Sequence, residues 1–162
     1  MSMKANSPAD FPSPEEMAAM SGLEFMTRIK DGTLPHAPMA QTLNYQLDTV
    51  EQGRVVFSGV PGFASYNPIG SVHGGWYGTL LDSCMGCAVQ TMLPAGRVYT
   101  TLEYKVNVLR SASVETGRLY AIGEVVRVGR RTGVAEGRIE DEKGKLFATA
   151  TTTCLVFEIG PE

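Results

Sequence analysis

Charge is scarce in this chain. Only 19% of its 162 residues are Asp, Glu, Lys or Arg, and no block of Lys and Arg occurs anywhere. A duplex-binding protein needs a concentrated basic surface, so a net charge of −3 spread this thinly argues against nucleic acid as a partner. Long apolar runs are missing too. None approaches the roughly 18 residues that a membrane-spanning helix requires, and the first ten residues, MSMKANSPAD, hold no apolar stretch of the secretory kind. The expectation is a cytoplasmic protein that makes no membrane contact. Cysteines number three, an odd count that cannot pair fully within one chain. Cys84 and Cys87 form a C-x-x-C, but a zinc site needs two more ligands, and Cys154, His36 and His73 are scattered along the sequence. The surrounding run Leu80–Val89 reads as a helix interior, where cysteine acts as a small hydrophobe.

What is present fits one globular domain. The chain is 43% hydrophobic, enough for a core without disulfides or a structural metal. Low charge on a small chain implies surface covered by a partner, most simply another copy. Ser13-Pro14-Glu15-Glu16 has the S-x-x-E form of a capping box with proline at the first helical position. Met17, Met20, Leu23, Met26 and Ile29 then recur at helical spacing up to Asp31-Gly32, with Gly22 weakening the middle enough to allow two shorter pieces. Residues 43–50 and 54–60 read as strands joined by Glu51-Gln52-Gly53, and 61–70 as a loop. An apolar stretch from Gly74 to Leu93 is too long for a strand and reads as a central buried helix. Runs at 98–109, 117–128, 132–140 and 145–158 are β in character, with Leu102, Tyr104, Val106 and Val108 alternating against Thr101, Glu103, Lys105 and Asn107. Helix, two strands, helix, four strands predicts an α+β domain, a six-stranded antiparallel sheet wrapped about one helix. The expected division is 1–12 as a flexible N-terminus, 13–39 as an N-terminal helical segment and 40–160 as the main domain.

One stretch stands apart, Asn67 to Ser83. His73, Gly74 and Gly75 fall where the loop becomes the buried helix. The first N–H groups of a helix lack intrahelical partners and the dipole favours negative charge there. Two glycines let a substrate atom come close to those donors, which is what an oxyanion site requires. His73 can donate to the same oxygen, and Asn67 can add a donor or hold a water. Asp82 is an acid inside an apolar helix, a candidate general base or nucleophile if it faces a cleft. Nine residues separate it from His73, about 13–14 Å along a helix. One chain does not easily bring both to one carbonyl, whereas two antiparallel helices across a two-fold axis can. The spacing favours a site shared between two copies, joined by pairing of an edge strand.

These residues resemble the hotdog-fold acyl-CoA thioesterases of the PaaI-like branch, the group that includes phenylacetate-degradation and 4-hydroxybenzoyl-CoA thioesterases. The pattern N-x-x-G-x-x-H-G-G with an acid nine residues after the histidine is carried by Asn67, Gly70, His73, Gly74, Gly75 and Asp82. The likeness continues through Thr100-Thr101, Leu109–Ala112, Gly129-Arg130-Arg131 and Asp141–Ala148, and so covers about residues 40–158. It implies that the Gly74 N–H and His73 polarise the thioester carbonyl, and that Asp82 of the neighbouring subunit serves as base or nucleophile. Asn67 would position water, and Thr100 is the match to a hydroxyl that assists it. Arg110, Arg130 and Arg131 would contact coenzyme A phosphates, with Gly75, Trp76 and Tyr77 also at the substrate. Phe63, Met85 and Tyr99 join Trp76 and Tyr77 as acyl-pocket candidates. The resemblance further implies no metal or prosthetic group, and two dimers associating into a homotetramer. The other functions to weigh are a hotdog module that binds an acyl-CoA or a related ligand without chemistry, and a hotdog hydratase. A pure binder has no use for the Asn67, His73 and Asp82 set, and neither histidine follows an Asp at the D-x₄-H spacing of the hydratases.

Overall fold

The computed structural model of the chain describes residues 4–159, so residues 1–3 and 160 of the expected divisions lie outside the described residues. The capping box forms: Ser13 Oγ accepts the Glu16 N–H at 3.2 Å and Glu16 Oε2 accepts the Ser13 N–H at 2.8 Å. The helical stripe is broken into α1 (Pro14–Ala18) and α2 (Gly22–Asp31), with Ser21 capping the second by accepting from the Glu24 N–H. Contact explains the break at Gly22. Its N–H donates to the Leu93 carbonyl at 2.9 Å, and a side chain there would run into the Gln90 carbonyl. A short helix α3 (Pro38–Thr42) follows, which the sequence pattern does not announce. Asn44, at φ 55, then turns the chain into the first strand, which starts two residues later than the composition implies.

The strands are β1 (Tyr45–Glu51), β2 (Arg54–Gly59), β3 (Arg97–Val108), β4 (Leu119–Val128), β5 (Thr132–Asp141) and β6 (Leu146–Glu158), and the long helix α4 (Gly74–Thr91) lies between β2 and β3 in sequence. They form one antiparallel sheet in the order β1-β2-β4-β5-β6-β3. α4 packs across one face of it, touching every strand. Leu80, Leu81, Cys84, Met85, Ala88 and Val89 are fully buried there against Val55, Leu119, Ala121, Ala135, Ile139 and Cys154. The helix comes so close that a side chain at Gly123 would collide with the Cys84 carbonyl, so only glycine fits. This is the hotdog arrangement, one helix held by a six-stranded antiparallel sheet, preceded here by the shorter N-terminal helices.

β3 is an edge strand, and its apolar row is not covered within the chain. Leu102 is 58% exposed, Tyr104 45% and Val108 47%. An open edge carrying apolar side chains is a template for strand addition.

Candidate active site

The loop before α4 is built by its own side chains. Asn67 Oδ1 accepts the N–H groups of Ile69 (3.1 Å) and Ser71 (3.2 Å), and its Nδ2 donates to Ser71 Oγ at 3.0 Å. Gly70 takes φ 88, a left-handed conformation that other residues resist. Backbone bonds from Asn67 N–H to Ser71 and from His73 N–H to Ser65, both 2.8 Å, fix the exit into the helix. Asn67 is thus committed to shaping this turn.

His73 is the N-cap of α4. Its Nδ1 accepts the Gly75 N–H at 2.8 Å, so the neutral ring carries its proton on Nε2, which remains a free donor. Among the described residues no acceptor takes the Gly74 N–H, and a side chain at Gly74 would meet nothing within 4 Å. The start of an 18-residue helix therefore offers one unpaired N–H in open space, beside an imidazole that can donate as well. Negative charge on an oxygen is favoured there.

Asp82 lies two turns further along, half-buried. Its Oδ1 accepts from Thr101 Oγ1 at 2.9 Å, leaving Oδ2 free for a proton. It borders a cavity of about 790 Å³, whose wall on the α4 side continues through Ser83 and Cys87 to Tyr99 and Thr101 of β3. Ser83 Oγ and the Tyr45 hydroxyl lie 3.2 Å apart on the same wall. Thr100 also reaches this cavity, but the hydroxyl on Asp82 belongs to Thr101. The signal for Thr101 was strand parity, because it shares a face with Tyr99. Burial pushes the Cys87 thiol up to about 12 and the fully buried Cys84 thiol well above its ordinary range. Neither supplies a thiolate near neutral pH.

The remaining candidates are dispersed. Trp76 and Tyr77 are buried in the core, with Trp76 Nε1 donating to the Leu43 carbonyl at 2.9 Å and the Tyr77 hydroxyl to the Arg110 carbonyl at 3.2 Å. Gly75 is spent on the His73 bond. Phe63 is 80% exposed and Met85 is core, so of the five acyl-pocket candidates only Tyr99 lines the cavity. Arg110 follows the C-terminal end of β3, where its Nε donates to the Leu146 carbonyl. Arg130 and Arg131 sit in the β4–β5 turn by the opposite end of β3, where Arg97 donates to the Arg130 carbonyl and the Val156 N–H to that of Arg131. A 12-residue strand is about 40 Å long, so one chain does not place all three arginines on one phosphate group. Among the described residues no three His, Cys, Asp or Glu side chains converge as metal ligands, and no helix is long and apolar enough to cross a membrane.

A hotdog domain with open donors at the head of its helix and a carboxylate on the helix flank is a scaffold for chemistry at an activated carbonyl. The comparisons with known proteins narrow the class. The Thioesterase superfamily model matches residues 69–148, which include the whole of α4. A phenylacetic acid degradation-related protein from Ralstonia eutropha, whose crystal structure is known, is 32% identical with a TM-score of 0.73, over 81% of this chain and 98% of that one. The 1,4-dihydroxy-2-naphthoyl-CoA hydrolase of Listeria monocytogenes is 26% identical over 118 residues, 73% of this chain and 94% of that protein. A Halobacterium salinarum protein carrying an esterase name is 46% identical over 70 residues, 41% of this chain, and the match spans 44% of that relative's length. The chain belongs to the thioesterase superfamily, a family of thioester hydrolases.

Proposed function

We propose that this protein hydrolyses an acyl-CoA thioester to the free acid and coenzyme A, in a homodimer whose two sites each combine the two subunits. The observation that carries the reading is the pairing of Asp82 Oδ1 with Thr101 Oγ1, which fixes a half-buried carboxylate at the wall of a cavity with one oxygen still free. The free Oδ2 takes a proton from water as the water oxygen bonds to the thioester carbon. Charge gathers on the carbonyl oxygen, where the Gly74 N–H and His73 Nε2–H donate to it. Collapse breaks the C–S bond, and the coenzyme A thiolate leaves with the proton that Asp82 took from the water, which restores the carboxylate. Thiolate is a good leaving group, so a carboxylate and an oxyanion site suffice, and no metal or prosthetic group is invoked.

The donors and Asp82 of one chain are nine residues apart on one helix, about 13–14 Å. Two chains paired antiparallel through β3 bring the head of one α4 toward the flank of the other. The same pairing covers the exposed Leu102, Tyr104 and Val108, and sets the start of one β3 beside the end of its partner. Arg110 of one copy and Arg130 and Arg131 of the other then border the same groove, as contacts for coenzyme A phosphates. Association of two such dimers into a tetramer is the expected larger assembly.

The test is release of free thiol from a panel of acyl-CoAs. Turnover that disappears in Asp82→Asn while a non-hydrolysable S-alkyl-CoA thioether still binds supports the proposal. Binding of acyl-CoA by the folded protein with no turnover of any panel member rejects it in favour of a binding module.

A further inference from the structure

The cavity beside Asp82, partly open to solvent, is roofed by a part of the chain that lies outside the central helix and the sheet. Phe11, Met17, Phe25, Ile29 and Leu34 line it from α1, α2 and their flanking turns, opposite Leu47 and Phe57 of the sheet. This roof is fastened to the domain: the Gly22 N–H donates to the Leu93 carbonyl, and Met26 is buried in the core. Among the described residues the walls hold no Lys or Arg; their one carboxyl is that of Asp82, and burial lowers the pKa of His36, their one imidazole, favouring its uncharged form. At about 790 Å³ the space is within the usual range for a small-molecule pocket.

Resting on the thioesterase reading above, we propose that the N-terminal segment 11–38 forms the acyl pocket and selects uncharged, apolar acyl groups larger than acetyl. Asp82 and Thr101 mark the reacting end. The acyl group runs from there beneath α2, so the side chains of that helix set how much chain is accommodated. Each methylene placed against such walls favours binding, whereas a terminal carboxylate finds no cation among the lining residues and is rejected.

The probes are S-ethyl-CoA, S-octyl-CoA, an S-(carboxyalkyl)-CoA of the same length as the octyl probe, and S-phenethyl-CoA, each titrated into the whole protein by calorimetry. Because these thioethers cannot be hydrolysed, binding is read separately from turnover. The expected result is that S-octyl-CoA binds about tenfold or more tighter than S-ethyl-CoA, while the carboxyalkyl probe binds like the ethyl one. Ile29→Trp fills the space beneath α2 and removes most of the octyl preference. Phe25→Ala enlarges it and extends the preference to S-dodecyl-CoA. A general loss of folding cannot produce shifts in opposite directions. The phenethyl probe separates the aryl from the aliphatic members of the class, since either one preferred over ethyl and lost in Ile29→Trp supports the pocket. Equal binding of all probes, or variants that move every probe alike, overturns the inference. If the preferences appear but no acyl-CoA is turned over, the pocket stands and the thioesterase reading falls. If acetyl- and octanoyl-CoA are hydrolysed equally and the probes bind equally, the reverse holds.

Discussion

The two ends of the Asn67–Asp82 stretch are finished in opposite ways. At its head, the Asn67 turn, His73 and Gly74 make a tightly bonded structure that ends in open space, with a backbone N–H that no described residue accepts. At Asp82 the side chain is already partnered by Thr101 and faces a cavity roofed by the chain's own N-terminal helices. The head offers donors with nothing to hold, and the flank offers a carboxylate with room beside it, which the proposed mechanism uses as the base. On the proposed mechanism the contrast makes each end a half-site, kept apart by the helix between them.

Substitutions at each end sharpen that contrast. The largest effect is expected from Asp82→Asn, which removes the base while keeping the shape; kcat should fall about 10²–10⁴-fold, with the S-octyl-CoA dissociation constant little changed. Measuring both on one preparation separates lost chemistry from lost binding.

At the head, Gly74→Pro deletes the open N–H and little else. Proline is well suited to the first helical position, and His73 before it, at φ −64 and ψ 139, already has the conformation that proline imposes on its predecessor. Thermal unfolding should stay near wild type while kcat falls about 10²–10³-fold, and Gly74→Ala, which retains the N–H, should recover much of the rate. A Gly74→Pro enzyme with wild-type kcat would remove the head from the chemistry altogether.

Thr101→Val tests how Asp82 is held. Loss of a hydrogen bond to a charged group costs about 1.5–3 kcal/mol, so kcat should drop by about one to two orders of magnitude. Thr101→Ser, which keeps the hydroxyl, should restore the rate. Thr100→Val, which leaves the Asp82–Thr101 bond intact, should keep kcat near wild type.

The smallest effect concerns the flank's thiol. With its pKa raised by burial to about 12, Cys87 is protonated throughout the neutral range and gains thiolate only as the pH approaches that value. At pH 8 its thiolate fraction is about one part in 10⁴, so iodoacetamide should leave native Cys87 unmodified by mass analysis and label it after denaturation. Rapid native labelling would mean that the cavity wall is more open than its packing implies.

The head of the helix was the more legible of the two in the sequence. Asn67, Gly70, His73 and the glycines are neighbours along the chain, and their chemistry follows from what a helix N-terminus offers. The order of elements was legible for the same reason, because apolar periodicity and turn residues are local signals; the errors fall at turns such as Asn44 and at the short helix Pro38–Thr42. The flank was only half legible. Asp82 stood out as an acid in an apolar helix, but its partner and its cavity come from remote segments. Thr101 reaches it from a strand 19 residues on, and the roof comes from Phe11, Phe25 and Ile29, more than 50 residues back. A pocket assembled from such distances leaves no spacing to read, which is why Trp76 and Tyr77, next to the motif, looked like lining and are core.

The central claim is that the two half-sites complete each other across two subunits, and subunit mixing tests it most directly. His73→Ala protein and Asp82→Asn protein, each nearly inactive alone, are combined in equal amounts under conditions that exchange subunits, with exchange verified by native mass spectrometry. Random exchange makes about half of the dimers mixed, each with one site of unmutated His73 and unmutated Asp82 from opposite chains, and restores roughly a quarter of the wild-type activity per site. If mixed dimers form and no activity returns, Asp82 does not serve the neighbouring subunit's carbonyl and the shared site is wrong.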